Sequence, residues 1–306
     1  MKIRGVLPPV TTPFDNRGEV DTAALRANLR RYLDCAVAGI VVLGTNGEAA
    51  LLDEAESDAM VAAARESVPS DRVLIAGAAR ESTRATVAAA RRAASLGADA
   101  VLVRTPSAYK SQMTAEALVG YYAAVADSSP APVILYDFTA ATGVNLAPGL
   151  VERLALHPNV AGIKDSNGDM AQIAELVGLA SDRFSVLVGS PQTFYTSLCL
   201  GVDGGILAAA CFAPRACVAM YELVMNRRHQ EALALQRELL PLIRTAFLDF
   251  GVPGLKVAVD AAGYAGGPAR PPLPTVPPEA ATRIRDAVTA FQKSVDRTAP
   301  PRMPGS

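Results

Sequence analysis

The repeating unit of the chain is clearest at Val160-Ala161-Gly162-Ile163-Lys164-Asp165-Ser166-Asn167-Gly168-Asp169, where a short apolar run ends in a lysine and a polar turn. Similar runs rich in Val, Ile and Leu alternate along the chain with Ala-rich segments of helical periodicity. This alternation predicts repeated βα units around a parallel sheet. Successive runs start about 30 residues apart, enough for a strand, a crossover helix and two loops. The eight candidate strands are residues 5–10, 39–43, 73–76, 100–103, 133–136, 160–164, 185–188 and 204–207.

Eight units of nearly equal length favour a closed (β/α)8 TIM barrel over an open doubly wound sheet. No GxGxxG motif follows the first candidate strand, as a dinucleotide-binding sheet would require. After the eighth strand the pattern changes to helical stretches at 214–227, 229–249 and 278–294, with a Gly/Pro-rich segment, residues 251–277, between the last two. We therefore predict a barrel over residues 1–224, a C-terminal helical extension over residues 225–295, and a disordered tail over residues 296–306.

Composition argues against several classes of function. The chain has 306 residues, 50% of them hydrophobic, and a formal net charge of -1, so neither nucleic acid nor an anionic membrane is an expected partner. No apolar run reaches the 18 residues of a membrane span, and we expect a cytoplasmic protein. The four cysteines show no CxxC spacing and the two histidines have no partner at metal-ligand spacing, so we expect no metal and no organic cofactor.

Lysine is rare in this chain, which makes Lys164 a candidate for a role that arginine could not fill. Only five of the 29 basic residues are lysine and the other 24 are arginine. Arginine cannot lose its proton, whereas a desolvated lysine can, and a neutral amine is what a Schiff-base nucleophile requires. The alternative is that Lys164 is a strand-end lysine that extends its amine to solvent. This stretch alone leaves both possibilities open.

The carboxyl ends of the strands are where a TIM barrel places its chemistry. Tyr136 and Lys164 end the fifth and sixth candidate strands and would project into the same mouth, as a proton donor and acceptor beside a nucleophile. The turn Gly44-Thr45-Asn46-Gly47-Glu48 offers backbone N–H groups suited to a carboxylate, and the Thr45 hydroxyl can relay a proton. Taken singly, Tyr136 could be a core aromatic and the turn an ordinary loop. The other strand ends supply Thr11, Thr12, Arg104, Thr105, Gly189, Ser190, Ile206 and Leu207.

An ordered set of motifs resembles the dihydrodipicolinate synthase/N-acetylneuraminate lyase family of class I aldolases over residues 2–295. The set comprises Thr12-Pro13-Phe14, the 44–48 turn, Leu135-Tyr136, Gly162-Ile163-Lys164-Asp165-Ser166 and the segment 263–273. Within the family the chain is most similar to 4-hydroxy-2-oxoglutarate aldolase, through the 44–48 turn and residues 140–143 and 251–256.

The resemblance implies a homotetramer, a dimer of dimers, of (β/α)8 barrels that acts on pyruvate-derived 2-oxo acids and an aldehyde. It implies that Lys164 forms the pyruvate imine, Tyr136 is the acid/base, and Thr45 relays protons. It further implies that Thr45 and Asn46 hold the carboxylate of the 2-oxo acid. The expected reaction is cleavage of 4-hydroxy-2-oxoglutarate to pyruvate and glyoxylate. Ser166, Gly189 and Ile206, at or just after the ends of the sixth, seventh and eighth strands, complete the expected substrate-binding set.

Two positions depart from the family pattern. Synthases of the family carry an arginine five positions after the catalytic tyrosine, and here that position is Ala141. Members of the family usually receive a second, proton-relaying tyrosine from a neighbouring subunit. The corresponding position here is Ala108, which Tyr109 follows, and we place Tyr109 in the catalytic set. The alternatives are condensation of pyruvate with aspartate semialdehyde by a dihydrodipicolinate synthase, or a non-catalytic pyruvate-binding protein on the same scaffold.

Overall fold

The computed structural model describes residues 1–298, and the side chains of residues 1–294. Eight parallel strands form one sheet in the order β1-β8-β7-β6-β5-β4-β3-β2. Each strand pairs with its neighbour in the chain, which is the connectivity of consecutive βα units. The strands are β1 (Gly5–Leu7), β2 (Gly39–Val42), β3 (Val73–Gly77), β4 (Ala100–Arg104), β5 (Val133–Asp137), β6 (Val160–Asp165), β7 (Ser185–Val188) and β8 (Gly204–Ile206).

The sheet closes between β1 and β2. Val41 N donates to Pro8 O at 3.1 Å, Val10 N donates to Val41 O at 2.9 Å, and an isolated bridge joins Pro9 to Val41. The first strand is shorter than the predicted 5–10 because Pro8 and Pro9 have no N–H to donate to a ladder. The predicted (β/α)8 TIM barrel is confirmed.

Helices surround the barrel and continue beyond it. No helix among residues 1–298 is both long and apolar enough to cross a membrane. The helix α2 begins with a capping box in which Asp53 and Glu56 each accept the other's backbone N–H. The helices are α1 (Thr22–Leu33), α2 (Glu54–Ser67), α3 (Thr83–Ser95), α4 (Ala115–Ser128), α5 (Thr139–Thr142), α6 (Pro148–Ala155), α7 (Met170–Val177), α8 (Phe194–Leu200), α9 (Pro214–Met225), α10 (His229–Ile243), α11 (Gly251–Ala261) and α12 (Pro278–Thr298).

The C-terminal extension contains one more helix than the sequence pattern indicated. We expected an irregular Gly/Pro-rich segment over residues 251–277, but its first part is α11. Pro253 is compatible because it lies in the first turn, where a backbone N–H has no helical partner. A Cβ on Gly254 would lie 2.8 Å from the carbonyl oxygen of Ala246, so glycine lets α11 approach the preceding π-helical turn. The tail predicted to be disordered began at residue 296, but residues 296–298 form the end of α12, because the helix continues past the predicted boundary; residues 299–306 lie outside the described residues.

Alternate residues of each strand face two different apolar regions. Leu102, Ile134 and Tyr136 belong to a cluster inside the barrel, whereas Leu135 and Ile163 pack between the barrel and its helices. Side chains point to opposite faces at successive strand positions, so residues two apart share a face. The inward positions at the carboxyl ends of β4, β5 and β6 therefore define one side of the barrel mouth.

Candidate active site

Lys164 and Tyr136 are neighbours at the mouth of the barrel. They are paired in register across β6 and β5, and both side chains are buried. The Lys164 Nζ atom lies 4.2 Å from the centroid of the Tyr136 ring. A lysine that ends a strand need not be buried, but this one is only 5% exposed. The side chain of Lys164 therefore does not extend to solvent, as the alternative interpretation of a strand-end lysine would require.

Thr45 connects the turn after β2 to this pair. Its Oγ1 atom lies 3.4 Å from the Tyr136 hydroxyl, and either group can be the donor. The residues Thr45–Gly47 form a short 3₁₀ turn, in which Asn46 is buried. Thr12 donates its hydroxyl to Gly47 O at 2.6 Å, which fixes the turn against the end of β1. The structure thus brings Lys164, Tyr136, Thr45 and Asn46 to one end of the barrel.

A buried ion pair between Lys256 and Glu48 holds the turn formed by residues 44–48. Lys256 of α11 donates to Glu48 Oε1 at 2.6 Å, to Thr12 O at 2.8 Å and to Pro268 O at 2.6 Å. The other Glu48 oxygen accepts the backbone N–H of Arg270 at 2.8 Å. Both side chains of the pair are at most 1% exposed. Burial lowers the pKa of Lys256, although the hydrogen bond to Glu48 opposes that shift. The C-terminal extension therefore holds the turn that presents Thr45 and Asn46.

Replacing Lys256 by methionine should destabilise the fold by about 3–5 kcal/mol, because it leaves the Glu48 carboxylate buried without its counter-ion. Urea denaturation midpoints measure the loss. The double variant Lys256→Met/Glu48→Gln should regain part of the stability, since it removes the unpaired charge. Arg228→Met, which breaks an exposed ion pair with Glu231, is the control and should change the midpoint little. A midpoint for Lys256→Met equal to that of the control would contradict this role.

Two carboxylates lie on the outer face of the barrel, next to Tyr136 and Lys164 along the chain. Asp137 and Asp165 follow Tyr136 and Lys164 on their strands, are paired in register, and are fully buried on the outer face of the barrel. Gln172 of α7 donates Nε2 to Asp137 Oδ2 at 3.1 Å and to Asp165 Oδ2 at 2.8 Å. The carboxylates fix the ends of β5 and β6, and thereby the positions of Tyr136 and Lys164.

Asp137 should make the stability of the fold depend on pH. Burial raises the pKa of Asp137 from 3.8 to about 6, with a smaller rise from the charge of Asp165. Between about pH 4 and about pH 6 the folded protein retains a proton that the unfolded chain has lost, so this group makes the free energy of unfolding fall as pH rises. The urea midpoint of Asp137→Asn minus that of the parent should therefore increase as the pH is raised from about 5 to about 7.5.

The control for this measurement is Asp182→Asn, at an exposed position. Its midpoint should differ from that of the parent by the same amount at both pH values. If Asp137→Asn behaves like the control, the carboxylate of Asp137 is ionised without penalty in the fold.

Gly189, directly after β7, and Ser166, directly after β6, lie beside Lys164. A Cβ on Gly189 would overlap Ser166 Oγ and lie 2.8 Å from Lys164 Cε, so only glycine leaves room for both side chains. Ile206 is 1% exposed and belongs to the interior cluster that contains Tyr136. The substrate-binding residues expected from the sequence therefore lie on strands that converge on the same mouth.

Tyr109 is the exception among the expected site residues. Its side chain is 71% exposed, in the loop between β4 and α4. Ala141, on α5, is also exposed and has no charge. Within a single subunit, Tyr109 thus remains outside the group formed by Lys164, Tyr136 and Thr45.

A cavity of about 280 Å³ opens beside this group. Thr45, Glu48 and Tyr136 line it together with Arg104, and the remaining walls are mostly apolar and come from the segment after β2, from β3 and β4 and the segment after β3, and from the C-terminal extension. A larger hollow of about 350 Å³, lined by Arg31, Arg215 and Tyr264 among others, contains none of the expected site residues. We take the smaller cavity as the candidate site because Tyr136 and Thr45 line it. Among the described residues, no group of three His, Cys, Asp or Glu side chains is placed to hold a metal ion.

Sequence reasoning missed the residues that support the site. It gave no role to Asp137, Asp165 or Gln172, or to the Lys256–Glu48 pair. One signal was available: an aspartate directly follows each of the two reactive residues, and neighbouring parallel strands place such positions side by side. The ion pair gave no comparable signal, because its members lie 208 positions apart.

Comparisons with known proteins bear on the whole chain. The model of the dihydrodipicolinate synthetase family matches residues 2–291. A 4-hydroxy-tetrahydrodipicolinate synthase of Methanothrix thermoacetophila is 34% identical over 287 residues, covering 94% of this chain and 96% of the relative. A chloride-inhibited dihydrodipicolinate synthase of Acinetobacter baumannii, solved with pyruvate, has a TM-score of 0.90 and 29% identity, covering 95% of this chain and 99% of that one. YagE, a prophage protein of E. coli K12 also solved with pyruvate, has a TM-score of 0.88 and 27% identity, covering 94% and 98%. The particular likeness to 4-hydroxy-2-oxoglutarate aldolase stays a prediction.

Proposed function

The chain belongs to the dihydrodipicolinate synthetase family, and from this premise we propose that Lys164 forms a Schiff base with pyruvate or a pyruvate-derived 2-oxo acid. The observation that carries the proposal is the buried amine of Lys164, 4.2 Å from the centroid of the Tyr136 ring, with the Thr45 hydroxyl 3.4 Å from the Tyr136 hydroxyl. This arrangement supplies a nucleophile and a proton path without a metal or an organic cofactor.

Imine formation requires two proton transfers at one oxygen. The lone pair of Lys164 Nζ attacks C2 of the 2-oxo acid, the carbonyl oxygen takes a proton, and the nitrogen loses one, which gives a neutral carbinolamine. That oxygen takes a second proton and leaves as water, while the nitrogen lone pair forms the C=N bond. Tyr136 is the group placed to donate and recover these protons, and Thr45 is the group that connects Tyr136 to the turn. The N–H groups of that turn, at Thr45 and Asn46, bind the carboxylate of the 2-oxo acid.

Carbon–carbon bond formation follows from the imine. Loss of a proton from C3 gives an enamine, whose carbon attacks the carbonyl carbon of an aldehyde, and the aldehyde oxygen takes up a proton. Hydrolysis of the product imine restores the free amine of Lys164. Cleavage of a 4-hydroxy-2-oxo acid is the same sequence in reverse, so one site can serve both directions.

Two acceptor aldehydes have support. The names of the relatives give condensation with aspartate semialdehyde, the synthase reaction, at least as much support as cleavage of 4-hydroxy-2-oxoglutarate to pyruvate and glyoxylate. Ala141 favours the cleavage, because it offers no charge to the carboxylate of the semialdehyde at the position where synthases have arginine. We therefore expect cleavage of 4-hydroxy-2-oxoglutarate to exceed condensation with aspartate semialdehyde.

Borohydride reduction in the presence of pyruvate tests the Schiff base. Peptide mapping should find the reduced adduct on Lys164. An adduct on Lys256, or no adduct at all, would contradict the proposal. Turnover is then compared with 4-hydroxy-2-oxoglutarate and with pyruvate plus aspartate semialdehyde. Robust condensation with the semialdehyde would assign the synthase reaction and show that Ala141 does not limit it.

Tyr109 is proposed to complete the proton path of a neighbouring subunit in a homotetramer, a dimer of dimers. Its exposure supports this role, since a side chain that is 71% exposed in one subunit is available to another. Tyr109→Phe should trap pyruvate normally but lose about 10²-fold to 10⁴-fold in turnover, because only the proton path is cut. Imine trapping and aldol cleavage are the two measurements.

Ala108→Tyr is the matched comparison for Tyr109→Phe, since it restores tyrosine at the position expected from the family. If Tyr109→Phe cleaves at the parent rate while Ala108→Tyr gains markedly, Tyr109 is only a loop residue. Normal trapping with no cleavage in the parent would favour the non-catalytic pyruvate-binding alternative. The cytoplasmic location expected from the sequence also stays a prediction.

A further inference from the structure

Arg104 projects into the mouth of the barrel beside the acid/base. It is the last residue of β4, two positions after the inward-facing Leu102, and it is paired in register with Tyr136. Arg104, Tyr136 and Lys164 therefore form a row across three adjacent strands. Arg104 also lines the cavity of about 280 Å³ that Thr45 and Tyr136 line.

The charge of Arg104 has no close partner in this position. Its Nε atom is buried and makes no hydrogen bond to any described residue. The nearest carboxylate is Glu81, with 4.0 Å between Arg104 Nη2 and Glu81 Oε1, which is too far for a hydrogen bond. Glu81 already accepts from Ser107 N at 2.8 Å, from Ser107 Oγ at 3.0 Å and from Ala108 N at 2.8 Å.

The Arg104 side chain is 27% exposed, but its buried Nε donor has no hydrogen-bond partner, which favours an anionic ligand. Arginine keeps its proton, so it cannot lower the cost of burial by becoming neutral. The other arginine at the strand ends on this side, Arg80, already pairs with Glu54. The cavity walls near Arg104 are mostly apolar and bring no carboxylate closer to it than Glu81; they include Leu43, Leu51, Leu102, Val252 and Leu273.

We propose that Arg104 binds the carboxylate of the acceptor aldehyde and so selects acid aldehydes over neutral ones. The inference rests on the proposed aldolase function, and it provides the cationic contact that Ala141 cannot make. The planar guanidinium can pair with a carboxylate through two parallel N–H···O bonds. With the 2-oxo acid on Lys164 and Tyr136 between the two, the aldehyde carbonyl would lie on the Tyr136 side of the row, where its oxygen can receive a proton.

The test uses two acceptors of similar size, glyoxylate and glycolaldehyde, of which only the first carries a carboxylate. Arg104→Met should lower kcat/KM for addition of pyruvate to glyoxylate by about 10-fold to 100-fold, the range of a charge-assisted hydrogen-bonded contact. Its kcat/KM with glycolaldehyde and its trapping of pyruvate by borohydride should change less than about 3-fold, because neither involves the lost contact. The kcat/KM of Arg104→Lys with glyoxylate should lie between those of the parent and Arg104→Met. Lysine keeps the positive charge but lacks the planar guanidinium that donates two parallel hydrogen bonds.

Arg84→Met, at an exposed position on α3, is the control and should match the parent with both acceptors. An equal loss with glyoxylate and glycolaldehyde would overturn the inference, as would loss of pyruvate trapping in Arg104→Met. If the parent traps no pyruvate on Lys164, the proposed function itself has failed. Calorimetric titration with succinate then tests Arg104 alone: at least 10-fold weaker binding to Arg104→Met supports an anion site, and equal binding overturns it.

Discussion

Lys164→Met is expected to abolish imine trapping and to lower aldol turnover by at least about 10⁴-fold, because it removes the amine that is proposed as the covalent nucleophile. Methionine keeps the unbranched, apolar part of the lysine side chain in its buried position, so the fold should persist. Lys164→Arg should be equally inactive, since a guanidinium does not become a neutral nucleophile. Pyruvate trapping followed by peptide mapping, and cleavage of 4-hydroxy-2-oxoglutarate, are the two measurements.

Lys293→Met provides the matched control, because Lys293 is an exposed lysine on α12. It should trap pyruvate and turn over at the parent level. Residual turnover of Lys164→Met above about 1% of the parent would mean that the reaction does not pass through an imine at Lys164. A parent-like unfolding midpoint for both Lys164 variants would show that the loss of activity does not result from unfolding.

The fold could be predicted from sequence because each strand and helix is specified locally. The run 160–163 is apolar throughout, as a strand covered on both faces must be, and the lysine and polar turn after it mark the end of the strand. The structure departs from the prediction where a tertiary contact outweighs a local sequence preference. Residues 251–261 have the glycine and proline content of a loop, yet they form α11 because Gly254 allows close packing against the preceding turn.

The residues proposed to react could be singled out from the sequence, whereas the residues that support them could not. Lys164 and Tyr136 are marked by residue type at strand ends, and the topology of the barrel then brings them together. The contact between Lys256 and Glu48 joins the C-terminal extension to the turn after β2. Nothing within either segment indicates the other, because the attraction arises only once both side chains are buried at the same point.

Arg104 illustrates the same limit at the site itself. Its position at a strand end was evident from the sequence, but its meaning depends on the lack of a partner for its Nε atom. That property follows from the distance to Glu81 and from the hydrogen bonds that Glu81 already accepts. A charge count along the chain, which gives nearly equal numbers of acidic and basic residues, does not reveal one guanidinium nitrogen without a hydrogen-bond partner.

Tyr136→Phe is the second change with a large expected effect, because it removes one oxygen and leaves the ring in place. The ring lies over Lys164 Nζ at 4.2 Å and is stacked with Phe138 at a centroid distance of 6.1 Å. Phenylalanine can keep both contacts, so the position of the amine should be preserved. What is lost is the hydroxyl 3.4 Å from Thr45 Oγ1, and with it the proton path.

Turnover of Tyr136→Phe should fall by about 10²-fold to 10⁴-fold, the range for a general acid–base group. Trapping of pyruvate should reach the parent level, but more slowly, since the carbinolamine can lose water without Tyr136 only through solvent. Tyr122→Phe is the control, because Tyr122 is fully buried and donates its hydroxyl to Val103 O at 3.2 Å, away from the site. It should lose some stability and no turnover. Parent-level cleavage by Tyr136→Phe would remove Tyr136 from the mechanism, and the protons would then have to reach the imine from a group outside the row formed by Arg104, Tyr136 and Lys164.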